Sequence, residues 1–349
     1  MTVRVGISGL GRIGRLTLRA AMANPDVEVV ALNSTTDAQT LAHLLKYDSV
    51  HGKWRADVTA RGNDLFIDGR RIEVVSKRIP LHLPWEELGV DVVLEATGKF
   101  VERNTAAQHL EAGAKKVVIS TAAKTDDLTI VYGVNHHLYD PELHHVISGA
   151  SCTTNCLAPI AAVLHEKFGI LEGSMTTVHS FTGDQKSLDN PHKDLRRARS
   201  ATQSIVPTTT GAARAIGRII PSLAGRLNGL SIRVPTPDVS LVDLVVTMEN
   251  EASVEEIHAA FELAAQTHLR GIMDVSYDPL VSMDYIGNSH SSIVDALSTM
   301  VIGKRTVKVL AWYDNEVGYA TRMVDLMHYV GSRIPQTEDE SEMVVDNAP

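Results

Sequence analysis

Cysteine is scarce in this sequence: 349 residues contain two, Cys152 and Cys156. A disulfide framework is therefore excluded, and i, i+4 spacing on a helix holds the two Cβ atoms too far apart for even one bridge. A lone C-x3-C with no second pair also lacks the ligand set of a zinc site, so no metal is expected. No run of about 18 apolar residues exists, which removes a membrane-spanning helix from expectation. Basic residues are in deficit, 33 against 42 acidic, for a formal charge of −9, so nucleic acid is not an expected partner. The chain opens straight into an apolar strand instead of a leader, and together with reduced thiols this predicts a cytoplasmic protein.

What is present points to a globular protein. Hydrophobic residues make up 44% of the chain, ample for large cores, and the length fits two domains or one large one. The charge is uneven: Glu338, Asp339, Glu340, Glu342 and Asp346 crowd the C-terminus with no base among them. Residues 335–349 therefore read as an acidic, disordered tail that aids solubility.

Both cysteines lie in SCTTNC, Ser151–Cys156, behind an apolar strand at His145–Ser148 and Gly149. Ahead of them Leu157, Ile160, Ala161, Leu164 and Phe168 fall on one face of a helix. Cys152 is thus placed in the first helical turn, where unpaired N–H groups and the positive dipole end favour the thiolate. Ser151 is a fitting N-cap. Pro159 deletes the hydrogen bond back to Asn155 and predicts a kink after that turn. Cys156 reads as a small core hydrophobe.

Near the start, the strand Val3–Ser8 runs into GLGRIGR, where Gly9, Gly11 and Gly14 complete G-x-G-x-x-G at the mouth of a helix reaching about Asn24. A second strand, Val27–Asn33, closes a βαβ unit of about 30 residues, the context the dinucleotide fingerprint requires. Phosphates then sit on the helix N-terminus. The acidic residue expected about 20 positions on, for the adenosine ribose, is missing. Asn33 and Ser34 stand there, so a 2′-phosphate is not repelled and NADP joins NAD as an expected cofactor.

Strands at Val90–Glu95, Lys116–Ser120, Thr129–Tyr132 and His145–Ser148 alternate with patterns such as the helical Thr105–Ala114, predicting a doubly wound parallel sheet. Asp57–Val75 reads as a hairpin turning at Asp68-Gly69. Beyond the Cys152 helix the style changes. Strands at Gly173–Ser180, Leu230–Val234, Val239–Glu249 and Thr306–Tyr313, with helices at Ala212–Ile219 and Val254–Gln266, predict an antiparallel sheet with helices on one face. Tyr319–Gly331 reads as a final helix returning to the first domain. A thiolate needs a proton-moving partner, and of the fifteen histidines His179 ends the strand MTTVHS, where a side chain can face a cleft. His136, His137, His144 and His145 read as surface or core histidines.

SCTTNCLAP, TTVHSFTGDQ, DLRRAR, PTTTGAA, RVPTPDVSLVDLV and WYDNEVGY, in this order and spacing, resemble the phosphorylating glyceraldehyde-3-phosphate dehydrogenase family over Val3 to Ser332. The resemblance implies an α/β architecture: a Rossmann NAD(P)-binding domain, residues 1–150 plus 316–334, and an α+β catalytic domain, residues 151–315. It also implies a homotetramer, with residues 181–203 near a neighbour's cofactor site. By position it makes Cys152 the nucleophile and His179 its activator and base. Thr182 and Arg233 match the site for the substrate's C3 phosphate; Ser151, Thr153, Arg197, Thr210 and Gly211 match a second site for inorganic phosphate. Guanidinium and hydroxyl donors suit two anions. Arg12 and Ile13 match the pyrophosphate loop, Thr121 its wall and Asn315 the nicotinamide amide.

Departures are Ser8, Leu10, Gly149 and Val317, where the family usually shows Asn, Phe, Asn and Trp. Gly149 is expected to loosen the turn before Cys152. Ser34 replaces the Asp of NAD-specific members, which makes the chain similar to the NADP-using, biosynthetic bacterial branch and places Arg78 to meet a 2′-phosphate. The expected reaction converts glyceraldehyde 3-phosphate and phosphate to 1,3-bisphosphoglycerate through a Cys152 thioester. Erythrose-4-phosphate dehydrogenase, which hydrolyses its thioester, is the alternative, disfavoured by the Thr210-Gly211 pair. A catalytically retired cofactor sensor is the alternative from another class.

Overall fold

The computed structural model describes residues 2–335. The acidic tail from residue 336 onward lies outside the described residues. Two large sheets organise the chain. The first runs in the order Leu128–Thr129, Val146–Ser148, Lys116–Ile119, Val92–Glu95, Val3–Ser8, Val27–Asn33, Arg70–Val75, Asp64–Ile67 and Val58–Arg61. Its strands are parallel from Leu128–Thr129 through Arg70–Val75, and the last two add an antiparallel hairpin. Val92–Glu95 and Lys116–Ile119 are buried at every position, as strands covered by helices on both faces must be. Val3–Ser8 lies between the strand that follows it and Val92–Glu95, so strand order reverses beside it and opens a crevice at the carboxyl ends.

The second sheet runs Val206–Thr209, Leu227–Val234, Ile170–Ser180, Ser240–Met248, Thr306–Tyr313, Ser292–Ile302 and Met273–Ser276. It is mostly antiparallel, with parallel pairs where Ile170–Ser180 meets Leu227–Val234 and Met273–Ser276 meets Ser292–Ile302. Ser240–Met248 and Thr306–Tyr313 alternate between buried and half-buried residues. Their buried side packs on the helices Cys152–Phe168, Ala212–Ile219 and Val254–Gln266, with Leu157, Ile160, Leu164, Phe261, Leu244 and Val309 in one core. Val254–Gln266 begins with a full capping box, Ser253 and Glu256 each bonding the other's backbone N–H.

The Cys152 helix carries Pro159 inside it, as expected, and continues past it because that turn is wholly buried and core packing offsets the missing hydrogen bond. Several elements differ from expectation. Thr105–Ala114 is two short helices, Arg103–Ala106 and Gln108–Glu111. The strand expected over Thr129–Tyr132 stops at Thr129, because the Asn135 amide donates to Thr129 O and accepts from Val131 N, taking the ladder's place. The final helix begins earlier, at Val317, and lies with Tyr319, Met323, Val324 and Met327 in the core of the first sheet. Among the described residues no helix is long and apolar enough to cross a membrane.

Candidate active site

Cys152 owes its position to the turn that precedes it. Ala150 adopts φ +57°, a left-handed conformation that costs a non-glycine residue about 1 kcal/mol or more. It is held there from both sides: its N–H donates to Ser148 Oγ at 3.1 Å and its carbonyl accepts from Tyr319 Oη at 2.8 Å. Gly149 is not loose. Its N–H donates to Ile119 O at 3.0 Å, its carbonyl accepts from Asn155 Nδ2 at 2.8 Å, and a Cβ there would meet Met323 Cε at 2.4 Å. The expectation of a loosened turn is corrected by this packing: Met323 fills the space a side chain would need. Ser151 then caps the helix, its Oγ accepting from Thr154 N at 3.1 Å.

Cys152 Sγ lies 3.5 Å from His179 Nε2. His179 sits at the end of Ile170–Ser180 and its Nδ1 is 2.7 Å from Ser180 O. Nδ1 thus lies between an acceptor, this carbonyl, and a donor, Arg233 Nη1 at 2.8 Å; in the tautomer with its proton on Nδ1, bonded to Ser180 O, the Nε2 lone pair faces the thiol. Burial, with Arg233 behind it, pushes His179 down to about 3. Burial likewise pushes the Cys152 thiol up, against the pull of Arg233 and Thr153. Each group alone therefore prefers to be neutral, which the sequence reading did not anticipate. Passing the proton from Sγ to Nε2 creates opposite charges 3.5 Å apart that hold one another, a gain that belongs to the pair. Cys156 is fully buried against Ser292 and Ala311, its thiol pushed far up by burial.

The basic residues gather around this pair. Arg233 Nη1 donates to Ser180 O at 3.0 Å and lies 3.5 Å from Thr182 Oγ1, while its buried Nε has no partner. Arg197 bonds Thr208 Oγ1 at 3.0 Å and Asp184 at 2.7 Å, and Asp184 also holds the Thr182 hydroxyl. Sequence reasoning missed Asp184, a carboxylate that links Thr182 to Arg197. Thr210 Oγ1 accepts from Ala212 N, and Gly211 opens the helix Ala212–Ile219. The Thr153 hydroxyl points inward to Tyr313 Oη at 2.9 Å, so only its backbone is left for an anion.

A cleft of about 340 Å³ leads from the thiol along Ser151, Thr182, Thr121, Asn315, Gly11, Arg12 and Ile13. Across the Gly9–Gly11 turn lies a second hollow of about 350 Å³ that includes Ser34, Arg78, Lys77, Thr97 and Lys99. The three glycines have three separate reasons. Gly9 has φ +97° and a Cβ would lie 2.6 Å from Thr97 N; a Cβ at Gly14 would lie 1.9 Å from Gly9 O. At Gly11 a Cβ would meet nothing within 4 Å and would project into the space a ligand's phosphates need. The helix Arg12–Ala21 has no side-chain cap, so its first N–H groups are free for an anion. Asn315 Oδ1 accepts from Ser180 Oγ at 2.8 Å and Ser240 Oγ at 2.6 Å, which turns Nδ2 toward the cleft.

One assignment acquires a different contact. The Arg12 guanidinium is clasped by Asp48 and Glu316, and Glu316 also accepts from His51 Nε2 at 2.9 Å. Arg12 therefore offers a dinucleotide its backbone N–H, while its side chain ties the first helix to the residue after Asn315. His51, Asp238 and Glu316 bring potential metal-ligand atoms within 4.8 Å of one another. Glu316 is already occupied there by Arg12.

Comparison with known proteins agrees with this geometry at both ends of the cleft. The model of the NAD-binding domain of glyceraldehyde 3-phosphate dehydrogenase matches residues 3–103, and that of its C-terminal domain matches residues 151–315. The chain is 61% identical to glyceraldehyde-3-phosphate dehydrogenase of Geobacillus stearothermophilus, over 95% of this chain and 99% of that one. It is 58% identical to glyceraldehyde-3-phosphate dehydrogenase 1 of Bacillus subtilis, over the same shares. With glyceraldehyde-3-phosphate dehydrogenase 2 of Nostoc it shares 54% over 95% and 99%. A dinucleotide fingerprint opening onto a thiol–imidazole pair, and likeness at these levels over nearly the whole chain, lead to one statement: this chain belongs to the glyceraldehyde-3-phosphate dehydrogenase family of NAD(P)-dependent oxidoreductases.

Proposed function

We propose that the protein oxidises D-glyceraldehyde 3-phosphate to 1,3-bisphosphoglycerate, with Cys152 as nucleophile and His179 as base. The observation that carries this is the 3.5 Å approach of Cys152 Sγ to His179 Nε2 at the mouth of the dinucleotide cleft. His179 Nε2 takes the thiol proton, Sγ adds to the aldehyde carbon, and the oxygen that gains charge lies toward the free N–H groups of the Cys152 helix. Arg233 and Thr182 hold the substrate's phosphate. The imidazolium returns its proton to that oxygen, completing the hemithioacetal, and the neutral His179 then removes the hydroxyl proton as hydride leaves the carbon, giving a thioester. A bound nicotinamide dinucleotide supplies the hydride acceptor, held by the Gly9–Gly14 turn, the start of the Arg12 helix and Asn315. Inorganic phosphate, met by Arg197 with Ser151, Thr210 and Gly211, attacks the thioester and releases Sγ.

On cofactor choice we infer that NADP is accepted beside NAD. Ser34 brings no carboxylate to the adenosine hollow, while Lys77, Arg78 and Lys99 bring three cations. The relation to the NADP-using branch belongs to the same reading, as do the division at residues 150 and 315 and a cytoplasmic setting. A homotetramer is supported by Leu188, Leu195 and Ile205, 69%, 82% and 70% exposed on and beside the 181–203 segment.

The test is dinucleotide reduction with glyceraldehyde 3-phosphate, with NAD or NADP, with and without phosphate. Without phosphate we expect a burst of about one reduced cofactor per site and then a slow drift, as acyl-enzyme accumulates. Full turnover without phosphate would assign the chain to the hydrolytic erythrose-4-phosphate reaction instead. Normal turnover by Cys152→Ser would overturn the mechanism.

A further inference from the structure

Beneath the cofactor groove runs a chain of polar groups that the chemistry at Cys152 does not use. Trp85 and His109 are fully enclosed and Glu95 is 1% exposed. Trp85 Nε1 donates to His109 Nδ1 at 2.9 Å. An indole N–H only donates, so Nδ1 is an acceptor and Nε2 carries the ring's N–H, which donates to Glu95 Oε2 at 3.0 Å. The other carboxylate oxygen, Oε1, accepts from Thr97 N at 2.8 Å and from the Thr97 hydroxyl. Thr97 Oγ1 in turn accepts from Lys99 N at 3.2 Å.

The end of this chain is a functional surface. Ala96 and Gly98 face the cleft that holds Cys152, while Thr97, Lys99 and Phe100 face the hollow beside Ser34. The same turn abuts the fingerprint, since a Cβ at Gly9 would lie 2.6 Å from Thr97 N. His109 also meets the edge of Phe100, ring centroids 6.4 Å apart at 84°. A carboxylate enclosed this completely is costly unless each oxygen is bonded, and here one oxygen winds the turn while the other is held by the ring.

We infer that His109 and Glu95 are positioning residues for the dinucleotide: the Trp85–His109–Glu95–Thr97 relay sets the 96–100 turn against the fingerprint loop at the height both halves of the cofactor need. This rests on the dehydrogenase reading above. Nothing in the relay reaches Cys152 or His179, so its effect falls on dinucleotide binding and leaves the chemical step alone.

Dinucleotide binding to the wild-type protein, followed by fluorescence titration without substrate, tests the dehydrogenase reading by itself. The relay is then tested with His109→Leu, which breaks both ring contacts, and His109→Gln, whose amide can accept from Trp85 and donate to Glu95. We expect His109→Leu to raise KM for the dinucleotide by about tenfold with kcat within about twofold, and His109→Gln to restore most of that loss. A purely structural network would lower Tm in both variants and leave KM unchanged, and that result overturns the inference. Should His109→Leu not fold, 5-fluorotryptophan labelling of the wild type decides, with Trp85 assigned through Trp85→Phe. Its 19F resonance moves on saturation with dinucleotide if the relay touches the site. A resonance that stays still while the dinucleotide binds overturns it equally.

Discussion

His179 is worth most to Cys152 as a neutral base. Burial pushes the imidazole down to about 3, so near neutral pH Nε2 is free to accept, and the thiol that burial pushes up has a nearby destination for its proton. In His179→Asn that destination is gone, and the thiol ionises only above its ordinary range. Iodoacetamide labelling of Cys152 near pH 7 is then expected to slow about tenfold or more, and to recover as pH rises into the alkaline range. An unchanged rate from about pH 6 to 9 would sink the pairing. Ser34 offers a second test at this scale. A carboxylate there would bond the ribose hydroxyls of NAD and repel a 2′-phosphate, and charge-assisted hydrogen bonds contribute roughly 1.5–3 kcal/mol. Ser34→Asp is expected to lower kcat/KM for NADP by at least about tenfold and to leave or improve that for NAD, in steady-state kinetics with each cofactor. Strong NAD preference in the wild type, unchanged by the substitution, would refute the role of Ser34.

At the scale of elements, the turn before the Cys152 helix shows how a family substitution becomes tied to its surroundings. Gly149 is tolerated because Met323 occupies the side-chain space. Gly149→Asn alone is expected to cost about 1 kcal/mol, since Met323 Cε is a flexible end that yields, and Met323→Ala in the same chain should recover part of it. Paired urea melts of the three variants measure this by a double-mutant cycle, and strict additivity would remove Met323 from the account. Much of the fold was legible in the sequence where burial writes a simple pattern. The parallel strands are apolar at every position because helices cover both faces. Ser292–Ile302 was not read because its register shifts between Asp295 and Met300, which breaks the alternation. Val206–Thr209 was hidden by Pro207, which is admissible only because the strand lies at the sheet edge. In the site, motif order located Cys152 and His179. The Arg12 clasp was not readable, since Asp48 and Glu316 lie 36 and 304 positions away.

For the whole molecule, that clasp ties the first helix to the start of the final one, just past the last strand of the second sheet, and its carboxylates make stability depend on pH. Asp48 is held well below the usual carboxylate range: burial opposes this, but the Arg12 guanidinium and two backbone N–H groups outweigh it. Glu316 is lowered in the same way by Arg12 and His51 against burial. Both contribute stability that is present above the unfolded carboxylate range and fades as pH falls through their folded values. Asp238 has the opposite sign. Burial, then Asp314 and Glu316, push it up to about 9, so the folded state retains a proton that the unfolded chain releases near pH 4. Stability is therefore withdrawn between about pH 4 and 9. Asp238→Asn is expected to raise Tm by a few degrees near pH 8 and to change it little near pH 4.5, in thermal melts at both values. Equal Tm shifts at both pH values would contradict the assignment.

The pairing of Ile170–Ser180 with Leu227–Val234 sets His179 directly across from Arg233. Two neighbouring parallel strands, hydrogen-bonded along their length, thus act as a ruler between the group that moves protons and the group that grips the anion. Evolution can retune such a site by exchanging side chains, because the spacing survives any substitution that keeps the strands. It cannot retune it by changing length. One residue deleted between Asn228 and Ile232 would bring Val234 opposite His179 and leave the guanidinium one pleat away, on the wrong face. Related chains that diverge in substrate are therefore expected to carry their insertions and deletions outside these two strands.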